Sequence, residues 1–414
     1  MTHVGDDRGS AVPDRPSQAT ATAARWPVAH LVAGPFPGPA AADPEAMMAL
    51  THTGTQSRAL FSGPDGSVRS VWAGEGGRWR GPAVLAPAGS CAPGTPVGLA
   101  RRTSAGCTEA AYAGADGSIL VMWSRREGDW QGPHTVAPPG TCAPGAAVTL
   151  AHQRTMDQLD LLCTGADGSV QVLWAGGGGP WQGPAVLAPP GTCAPGTPVG
   201  LGRRRSAERL EAVYAGADGS VQVLWADADH PWRGPGVLAP PGTCVPGTAV
   251  TLASRDPADR LDALFTAADG SVRAIRADGG GPWTRAATVT PAGGCAPGSP
   301  VALAYEKSAH RLDAVVAGAD GAVLALSAAG EEGWLGPVAA APPGTCAPGA
   351  AIGLGHRTAP GPLDAVFAGD DGSVRVVWAL PGGGWHEPVE IAPPGSAARG
   401  SGVALTHGGP APGG

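Results

Sequence analysis

The chain of 414 residues carries 27 Lys and Arg against 34 Asp and Glu, and its net charge of −7 argues against general binding to nucleic acid. No apolar run reaches membrane-spanning length, and the N-terminus lacks the charged, apolar and small-residue order of a secretion signal. We therefore expect a cytoplasmic protein without nucleic-acid or membrane partners, with export by a non-classical route left open. Glycine (67) and proline (44) are abundant, but they recur at fixed offsets, which indicates turns and not disorder.

The N-terminal segment differs from the rest of the chain. Residues 1–25 are rich in Ala, Thr, Ser, Pro and charge, and we expect them to form a disordered tail. Residues 26–31 then resemble one additional strand of the type that later ends each repeat.

A single spacing dominates the chain after this segment. The dipeptide Asp-Gly recurs every 51 residues, and a tryptophan that follows it keeps the same step. The Asp-Gly pairs begin at Asp65, Asp116, Asp167, Asp218, Asp269, Asp320 and Asp371. The tryptophans are Trp79, Trp130, Trp181, Trp232, Trp283, Trp334 and Trp385. Seven equal units without insertions predict a repeat architecture.

Each unit predicts four short strands. In residues 201–247, an inner strand begins at Leu201, a second covers 210–216, a third covers 220–225 and an outer strand covers 232–238. Asp218-Gly219 joins the second and third strands, and Asp-Gly between two strand-like runs is a strong hairpin signal because the turn needs positive φ. The prolines of the last run suit an edge strand, and helical periodicity is nearly absent.

We predict an all-β fold, a seven-bladed β-propeller with four antiparallel strands per blade and a 51-residue repeat. A β-solenoid is the alternative, but its repeats are usually shorter and lack a tryptophan-bearing outer strand. Residues 402–405 resemble an additional inner strand, so one terminal strand should close the ring, and the sequence leaves open which one. The propeller is predicted to span residues 26–407, followed by a flexible tail at 408–414.

Six of the eight cysteines occupy one column of the repeat, at Cys91, Cys142, Cys193, Cys244, Cys295 and Cys346. In a ring of blades each of these cysteines is equally far from the cysteines of the two neighbouring blades. Two neighbours could form a disulfide only if all of them lay on a ring of radius roughly 6 Å around the channel axis, which the connector is not expected to reach. We therefore predict buried, unpaired thiols that fill the same small niche in six blades. Cys163 is predicted to lie in the core and Cys107 in a loop.

The repeat resembles a known family. Residues 209–221 (RLEAVYAGADGSV), a Trp-bearing third strand and the Trp-x-Gly-Pro at 232–235 are similar to the bacterial seven-bladed propeller lectins of the Photorhabdus lectin type and to a related actinobacterial repeat of unassigned function. The resemblance covers about residues 26–407 and implies binding of fucose and related glycans in pockets between adjacent blades. Aromatic residues make up only 5% of the chain, and Arg276 and Ser327 replace the third-strand tryptophan in two units, so several pockets should be lost or altered.

Two columns of side chains are candidates for glycan binding. An indole face stacks on the apolar C–H face of a sugar, although packing between blades explains such tryptophans equally well. Carboxylates accept hydrogen bonds from neighbouring hydroxyls, although capping of turns or pairing with a nearby arginine is the alternative. The third-strand tryptophans are Trp72, Trp123, Trp174, Trp225 and Trp378. The acidic column is Glu109, Asp160, Glu211, Asp262, Asp313 and Asp364, with Arg58 in the first unit.

A third group is irregular. Just after the inner-strand leucine stand His52, Arg101, His152, Arg203, Ser254, Tyr305, His356 and His407. The next position carries Arg102, Arg204, Arg255 and Arg357. Because inner strands line the channel of a propeller, these residues are candidates for one channel mouth, which would attract an anionic ligand. Closure of the ring would make His52, His356 and His407 neighbours and hence a weak candidate metal set. Solvated loop residues are the simpler interpretation.

These patterns favour a multivalent, lectin-like carbohydrate-binding protein with sites between blades. The alternatives are an enzyme or small-molecule-binding protein that uses the channel mouth, for example in a biosynthetic pathway, and a protein-interaction scaffold. No phosphate-binding loop, zinc-protease motif or nucleophile elbow occurs. We therefore expect no cofactor, assign no catalytic residue and take the partners to be glycans or another small molecule.

Overall fold

The structure is a computed structural model. It describes residues 57–74, 78–102, 107–125, 129–153, 157–176, 179–204, 209–227, 230–255, 259–330, 333–357 and 361–407. The predicted tails at 1–25 and 408–414, the extra strand at 26–31 and His52 lie outside these residues.

The described residues form 28 β-strands in seven four-stranded antiparallel sheets, and no helix occurs among them. Each sheet is one blade. Blade 1 begins with β1 (Ser57–Ser62), β2 (Val68–Ala73) and β3 (Trp79–Ala86). Blade 2 is β4 (Gly98–Arg102), β5 (Cys107–Ala113), β6 (Ile119–Arg125) and β7 (Trp130–Ala137). Blade 3 is β8 (Val148–Gln153), β9 (Gln158–Thr164), β10 (Val170–Gly176) and β11 (Gln182–Ala188). Blade 4 is β12 (Gly200–Arg204), β13 (Arg209–Ala215), β14 (Val221–Asp227) and β15 (His230–Ala239).

The remaining blades repeat this order of inner, second, third and outer strand. Blade 5 is β16 (Thr251–Arg255), β17 (Arg260–Thr266), β18 (Val272–Asp278) and β19 (Ala287–Thr288). Blade 6 is β20 (Val301–Glu306), β21 (Arg311–Ala317), β22 (Val323–Ala329) and β23 (Leu335–Ala341). Blade 7 is β24 (Gly353–His356), β25 (Leu363–Ala368), β26 (Val374–Ala379) and β27 (Val389–Ala392). The last strand, β28 (Ala404–His407), completes blade 1. The predicted seven-bladed β-propeller is confirmed. None of the described segments is a helix that could span a membrane.

The ring closes through the C-terminal strand. β28 pairs antiparallel with β1, with Ala59 opposite Leu405 and Leu60 opposite Ala404, and so becomes the inner strand of blade 1. The sequence left open which terminal strand closes the ring, and the structure shows that the C-terminal strand does so from the inner position. The first and last parts of the propeller are therefore joined by backbone hydrogen bonds.

The apolar core lies between blades. One buried cluster combines Val213 and Val221 of blade 4 with Phe265 and Ile275 of blade 5, and Trp283, which precedes β19, packs against it. The other clusters repeat this arrangement around the ring. The outer-strand tryptophans thus cover the inter-blade core from outside, which accounts for their presence in all seven units.

The Asp-Gly turn joins the second and third strands in each blade, as predicted. In blade 1, Gly66 has a φ of 72°, and the amide of Gly63 donates to the carbonyl of Ser67 at 2.8 Å. The Asp65 carboxylate accepts hydrogen bonds from the hydroxyl and amide of Ser67, at 2.6 and 3.1 Å. These bonds are the main reason why the pKa of Asp65 is lowered to about 2. The turn is therefore a five-residue loop that its own side chains hold in shape.

This turn also binds the connector to the next blade. The amide of Gly89 donates to the carbonyl of Asp65 at 2.9 Å, and the amide of Cys91 donates to that of Gly66 at 3.0 Å. The neighbouring carbonyl of Ser90 accepts from Ala115 in the turn of blade 2 at 3.2 Å. The connector is therefore fixed to two successive blades.

The column cysteines lie in this connector, and none of the eight cysteines forms a disulfide bond. The prediction of buried, unpaired thiols in the column is confirmed. The thiol of Cys91 donates to the same Gly66 carbonyl at 3.3 Å. Burial raises the pKa of Cys142 and Cys193 to about 11, so these thiols stay protonated at neutral pH. Cys163 is in the core as predicted, whereas Cys107 begins strand β5 and is buried, so its placement in a loop was wrong.

Removal of residues 403–414 should prevent stable closure of the ring. The deletion takes away β28, exposes the edge of β1 and uncovers the core of blade 1. We expect loss of a single cooperative thermal transition, measured by circular dichroism. Deletion of residues 408–414 alone keeps β28 and is the control. Identical melting of both truncated proteins would contradict closure by β28.

Substitution of Gly66 by Ala should lower the free energy of unfolding by about 2 kcal/mol or more, because an L-residue at positive φ costs about 1–2 kcal/mol and the new Cβ meets backbone as well. A Cβ on Gly66 would lie 2.2 Å from the carbonyl oxygen of Cys91. Gly74→Ala is the matched control, since a Cβ at Gly74 meets nothing within 4 Å. Urea denaturation of both variants gives the comparison. Equal stability of the two variants would show that the turn tolerates a side chain.

Candidate functional site

A pocket of about 410 Å³ lies between blades 3 and 4. Blade 3 contributes residues of its second, third and outer strands, and blade 4 contributes Trp232. The lining residues are Gln158, Asp160, Val172, Trp174, Ala185, Val186, Leu187 and Trp232. The pocket therefore brings together one member each of the third-strand tryptophans, the acidic column and the outer-strand tryptophans.

The strand register explains why these groups meet. Asp160 on β9 lies directly opposite Trp174 on β10. Directly opposed residues of antiparallel strands point to the same face of the sheet, so the carboxylate and the indole are neighbours. The same pairing joins Glu109 with Trp123 and Glu211 with Trp225. The sequence analysis treated these columns separately, and only the pairing register shows that an acidic residue and a tryptophan lie side by side in blades 2, 3, 4 and 7.

The third-strand tryptophans have unequal surroundings. Trp378 stacks on His386 with ring centroids 4.8 Å apart, and Trp123 stacks on His134 at the same distance. The guanidinium of Arg209 lies 5.0 Å from the ring centroid of Trp225. In these three blades another protein side chain contacts the indole. Trp174 lines the pocket instead.

The acidic column is buried, and most of its members pair with arginines of the inner strands. Arg204 Nη2 lies 2.6 Å from Glu211 Oε1, and Arg255 Nε lies 2.7 Å from Asp262 Oδ2. Equivalent pairs join Arg102 with Glu109 and Arg357 with Asp364. These four arginines are buried and turn into the blades, so their assignment to a channel mouth was wrong. Burial raises the pKa of Glu109 and Asp262, against the opposing effect of the arginines.

Blades 3 and 6 depart from this arrangement. Their inner strands end with Gln153 and Glu306 where blades 2, 4, 5 and 7 carry arginine. Asp160 Oδ1 accepts a hydrogen bond from the amide of Gln158 at 2.7 Å. In blade 6, Asp313 Oδ2 lies 2.9 Å from Arg311 Nε. The carboxylate in the pocket is thus hydrogen-bonded to a neutral amide.

The channel-mouth candidates all lie on inner strands where the structure describes them. His152 Nε2 lies 2.9 Å from Asp157 Oδ1, within hydrogen-bonding distance. Tyr305 Oη and His310 Nδ1 are 3.2 Å apart. His356 Nε2 approaches Asp313 Oδ2 of the preceding blade at 3.2 Å. The other candidates are Arg101 on β4, Arg203 on β12 and His407 on β28.

The structure shows no metal site among the residues that it describes. Within them, no group of three or more His, Cys, Asp and Glu side chains is arranged to hold a metal ion. Of the three histidines named as a weak metal set, His52 lies outside the described residues, so that set stays a prediction.

The sequence matches no protein-family model and no curated protein. Among solved structures, the chain is similar to the BP39L lectin from Burkholderia pseudomallei, with a TM-score of 0.78 and 25% identity over 81% of this chain and 95% of that lectin. The SapL1 lectin, solved in complex with alpha methyl fucoside, gives a TM-score of 0.52 and 17% identity over 72% and 96% of the two chains.

A variant of the Aleuria aurantia lectin in complex with alpha-methyl-L-fucoside gives a TM-score of 0.52 and 14% identity, again over 72% of this chain and 96% of the lectin. At these identities, the last two structures show a shared fold. The similarity to the Burkholderia pseudomallei lectin therefore supports the likeness to propeller lectins that the sequence indicates.

Proposed function

We propose that this protein is a carbohydrate-binding protein of the propeller-lectin kind, with sites between blades that recognise fucose-type glycans. The pocket between blades 3 and 4 is the observation that carries the proposal. It combines two indoles, Trp174 and Trp232, with the buried carboxylate of Asp160. The C–H face of a sugar ring stacks on a flat apolar surface, and its hydroxyls donate hydrogen bonds to an acceptor.

The charge of the pocket favours a neutral sugar. Asp160 is the only charged group among the described lining residues, and one of its hydrogen-bond partners, Gln158, is an uncharged amide. A carboxylate accepts hydrogen bonds from sugar hydroxyls but repels an acidic sugar. The lectins that share the fold include two solved with fucosides, which are neutral.

The same chemistry favours binding over hydrolysis. Glycoside hydrolysis commonly uses two carboxyl groups on opposite sides of the scissile bond. Among the described lining residues of this pocket, Asp160 alone carries a carboxyl group. A single buried carboxylate beside two indoles is suited to holding a sugar.

Repetition would make the protein multivalent. Blades 1, 2, 3, 4 and 7 keep both tryptophans, whereas blades 5 and 6 carry Arg276 and Ser327 in the third strand. Weak sites on one rigid ring gain avidity when they bind a branched or clustered glycan. We expect blade 3 to bind most strongly, since contacts from His134, Arg209 and His386 compete with a ligand in blades 2, 4 and 7.

A glycan array and calorimetric titration with methyl α-L-fucoside test this proposal. Trp174→Ala should weaken binding about tenfold or more, because the substitution removes both a stacking face and buried apolar area. Trp225→Ala, at the equivalent position where Arg209 covers the ring, is the matched comparison and should have a smaller effect. Unchanged circular dichroism spectra establish that both variants fold.

If no glycan on the array binds, the lectin proposal fails. It fails equally if both substitutions leave the affinity unchanged while the fold survives. Asp160→Asn provides a second test, since a charge-assisted hydrogen bond is worth about 1.5–3 kcal/mol and its loss should weaken fucoside binding about tenfold.

A further inference from the structure

Blade 6 carries a serine where most blades carry the third-strand tryptophan, and blade 4 shows what the missing ring would contact. Trp225 of blade 4 lies opposite Glu211 in the pairing register. The guanidinium of Arg209 lies 5.0 Å from the Trp225 ring centroid. A Cβ added to Gly236 of the outer strand would lie 3.3 Å from Trp225 Cζ3. The indole is thus bounded by a carboxylate, a guanidinium and one position of the outer strand.

Blade 6 keeps these three neighbours without the ring. Ser327 lies opposite Asp313, and Arg311 Nε binds Asp313 Oδ2 at 2.9 Å from the position of the repeat that carries the stacked arginine in blade 4. In the described part of the chain, no aromatic ring contacts the Arg311 guanidinium. The outer-strand position carries Val338, which lies opposite Ala325. Since Ala325 belongs to the buried cluster between blades 6 and 7, this set of side chains faces blade 7.

The apolar side chains around Ser327 are open to solvent. Val338 is 44% exposed, and Leu335, which the register pairs with Ser327, is 54% exposed. Exposed aliphatic surface costs free energy in water that an apolar ligand recovers on burial. The Trp385 ring of blade 7 packs against the same inter-blade core. The surface that the missing indole would cover is therefore left for another apolar group.

The polar groups beside Ser327 favour an aromatic ligand over an aliphatic or a charged one. Asp313 is buried, Arg311 binds it from the same blade, and His356 Nε2 approaches it from blade 7 at 3.2 Å. The face of an aromatic ring attracts a guanidinium, whereas an aliphatic group does not. Blade 5 lacks this arrangement, because Arg276 places a second positive charge at the position of the ring.

We infer that the site around Ser327, between blades 6 and 7, binds a small planar aromatic ligand, such as an indole, in the place of the missing tryptophan side chain. The ring stacks on the Arg311 guanidinium, contacts Val338 and lies beside Asp313. The inference goes beyond the proposed function, since both the site and the class of ligand differ from those between blades 3 and 4. It does not require that the protein binds a glycan.

Titration with 3-methylindole, which is the side chain of tryptophan as a free molecule, tests the inference. We expect saturable binding, measured by ligand-observed NMR. Ser327→Trp should weaken this binding at least tenfold, because the new side chain takes the place of the ligand. Arg276→Trp makes the same change at the equivalent position of blade 5 and should leave the affinity unchanged. If Ser327→Trp does not fold, Ser327→Phe replaces it with the same expectation.

A second pair of variants tests the role of the guanidinium. Arg311→Gln introduces the residue that blade 3 carries at this position and should weaken binding of 3-methylindole about twofold to fivefold, as expected for loss of a cation–π contact. Arg273→Gln removes an equal charge from the Asp-Gly turn of blade 5 and should have no effect. Cyclohexylmethanol is titrated as an apolar ligand without an aromatic ring and should bind more weakly than 3-methylindole.

Several results would overturn the inference. These are the absence of saturable binding, an equal loss in Ser327→Trp and Arg276→Trp, an unchanged affinity in Arg311→Gln, and cyclohexylmethanol that binds as tightly as 3-methylindole. Titration with methyl α-L-fucoside separates the two proposals. Its affinity should be unchanged in Ser327→Trp, and a loss there would contradict two separate sites. Failure of the fucoside to bind refutes the fucose-type site and leaves the aromatic site intact.

Discussion

Each blade leaves two apolar faces uncovered, and the connector that leaves its outer strand fixes the next blade against one of them. The connector is held by backbone hydrogen bonds. The amides of Gly89 and Cys91 donate to the Asp-Gly turn of blade 1, and the carbonyl of Ser90 accepts from the turn of blade 2. The contact at Gly66 is too close for a Cβ, which explains why glycine recurs there. At the closing point the direction is reversed, because the connector amide of Ala398 donates to the carbonyl of Ser62 at 3.1 Å and so joins blade 7 to blade 1.

A second set of contacts acts at the inner strands. Arg204 binds Glu211 within blade 4 and also donates to the carbonyl of Gly279 in blade 5 at 3.1 Å. Its guanidinium lies 5.9 Å from the ring centroid of Trp283. Burial of such a pair costs desolvation that only well-placed hydrogen bonds offset, and here the arginine satisfies groups on two blades. The arginine thus occupies space between blades 4 and 5.

The sequence alone was sufficient for the architecture, because the 51-residue period and the Asp-Gly and Trp-x-Gly-Pro signals are local. The site was harder to predict, because its contacts depend on register and on neighbouring blades. The opposition of Asp160 and Trp174 requires the pairing of β9 with β10. The burial of Arg204 and the approach of His356 to Asp313 across two blades have no sequence signal, since neither follows from spacing along the chain.

These contacts differ from blade to blade on a nearly uniform ring. Where an inner strand ends in arginine, the carboxylate of the adjacent strand is neutralised, and in blade 4 the guanidinium also reaches the next blade. Blade 3 has Gln153 at this position of the sequence, and Asp160 there accepts a hydrogen bond from the side-chain amide of Gln158. Its strands keep the same register, so the fold is unaffected by the change. A substitution that leaves the backbone of a repeat intact can therefore change which side chains surround the buried carboxylate.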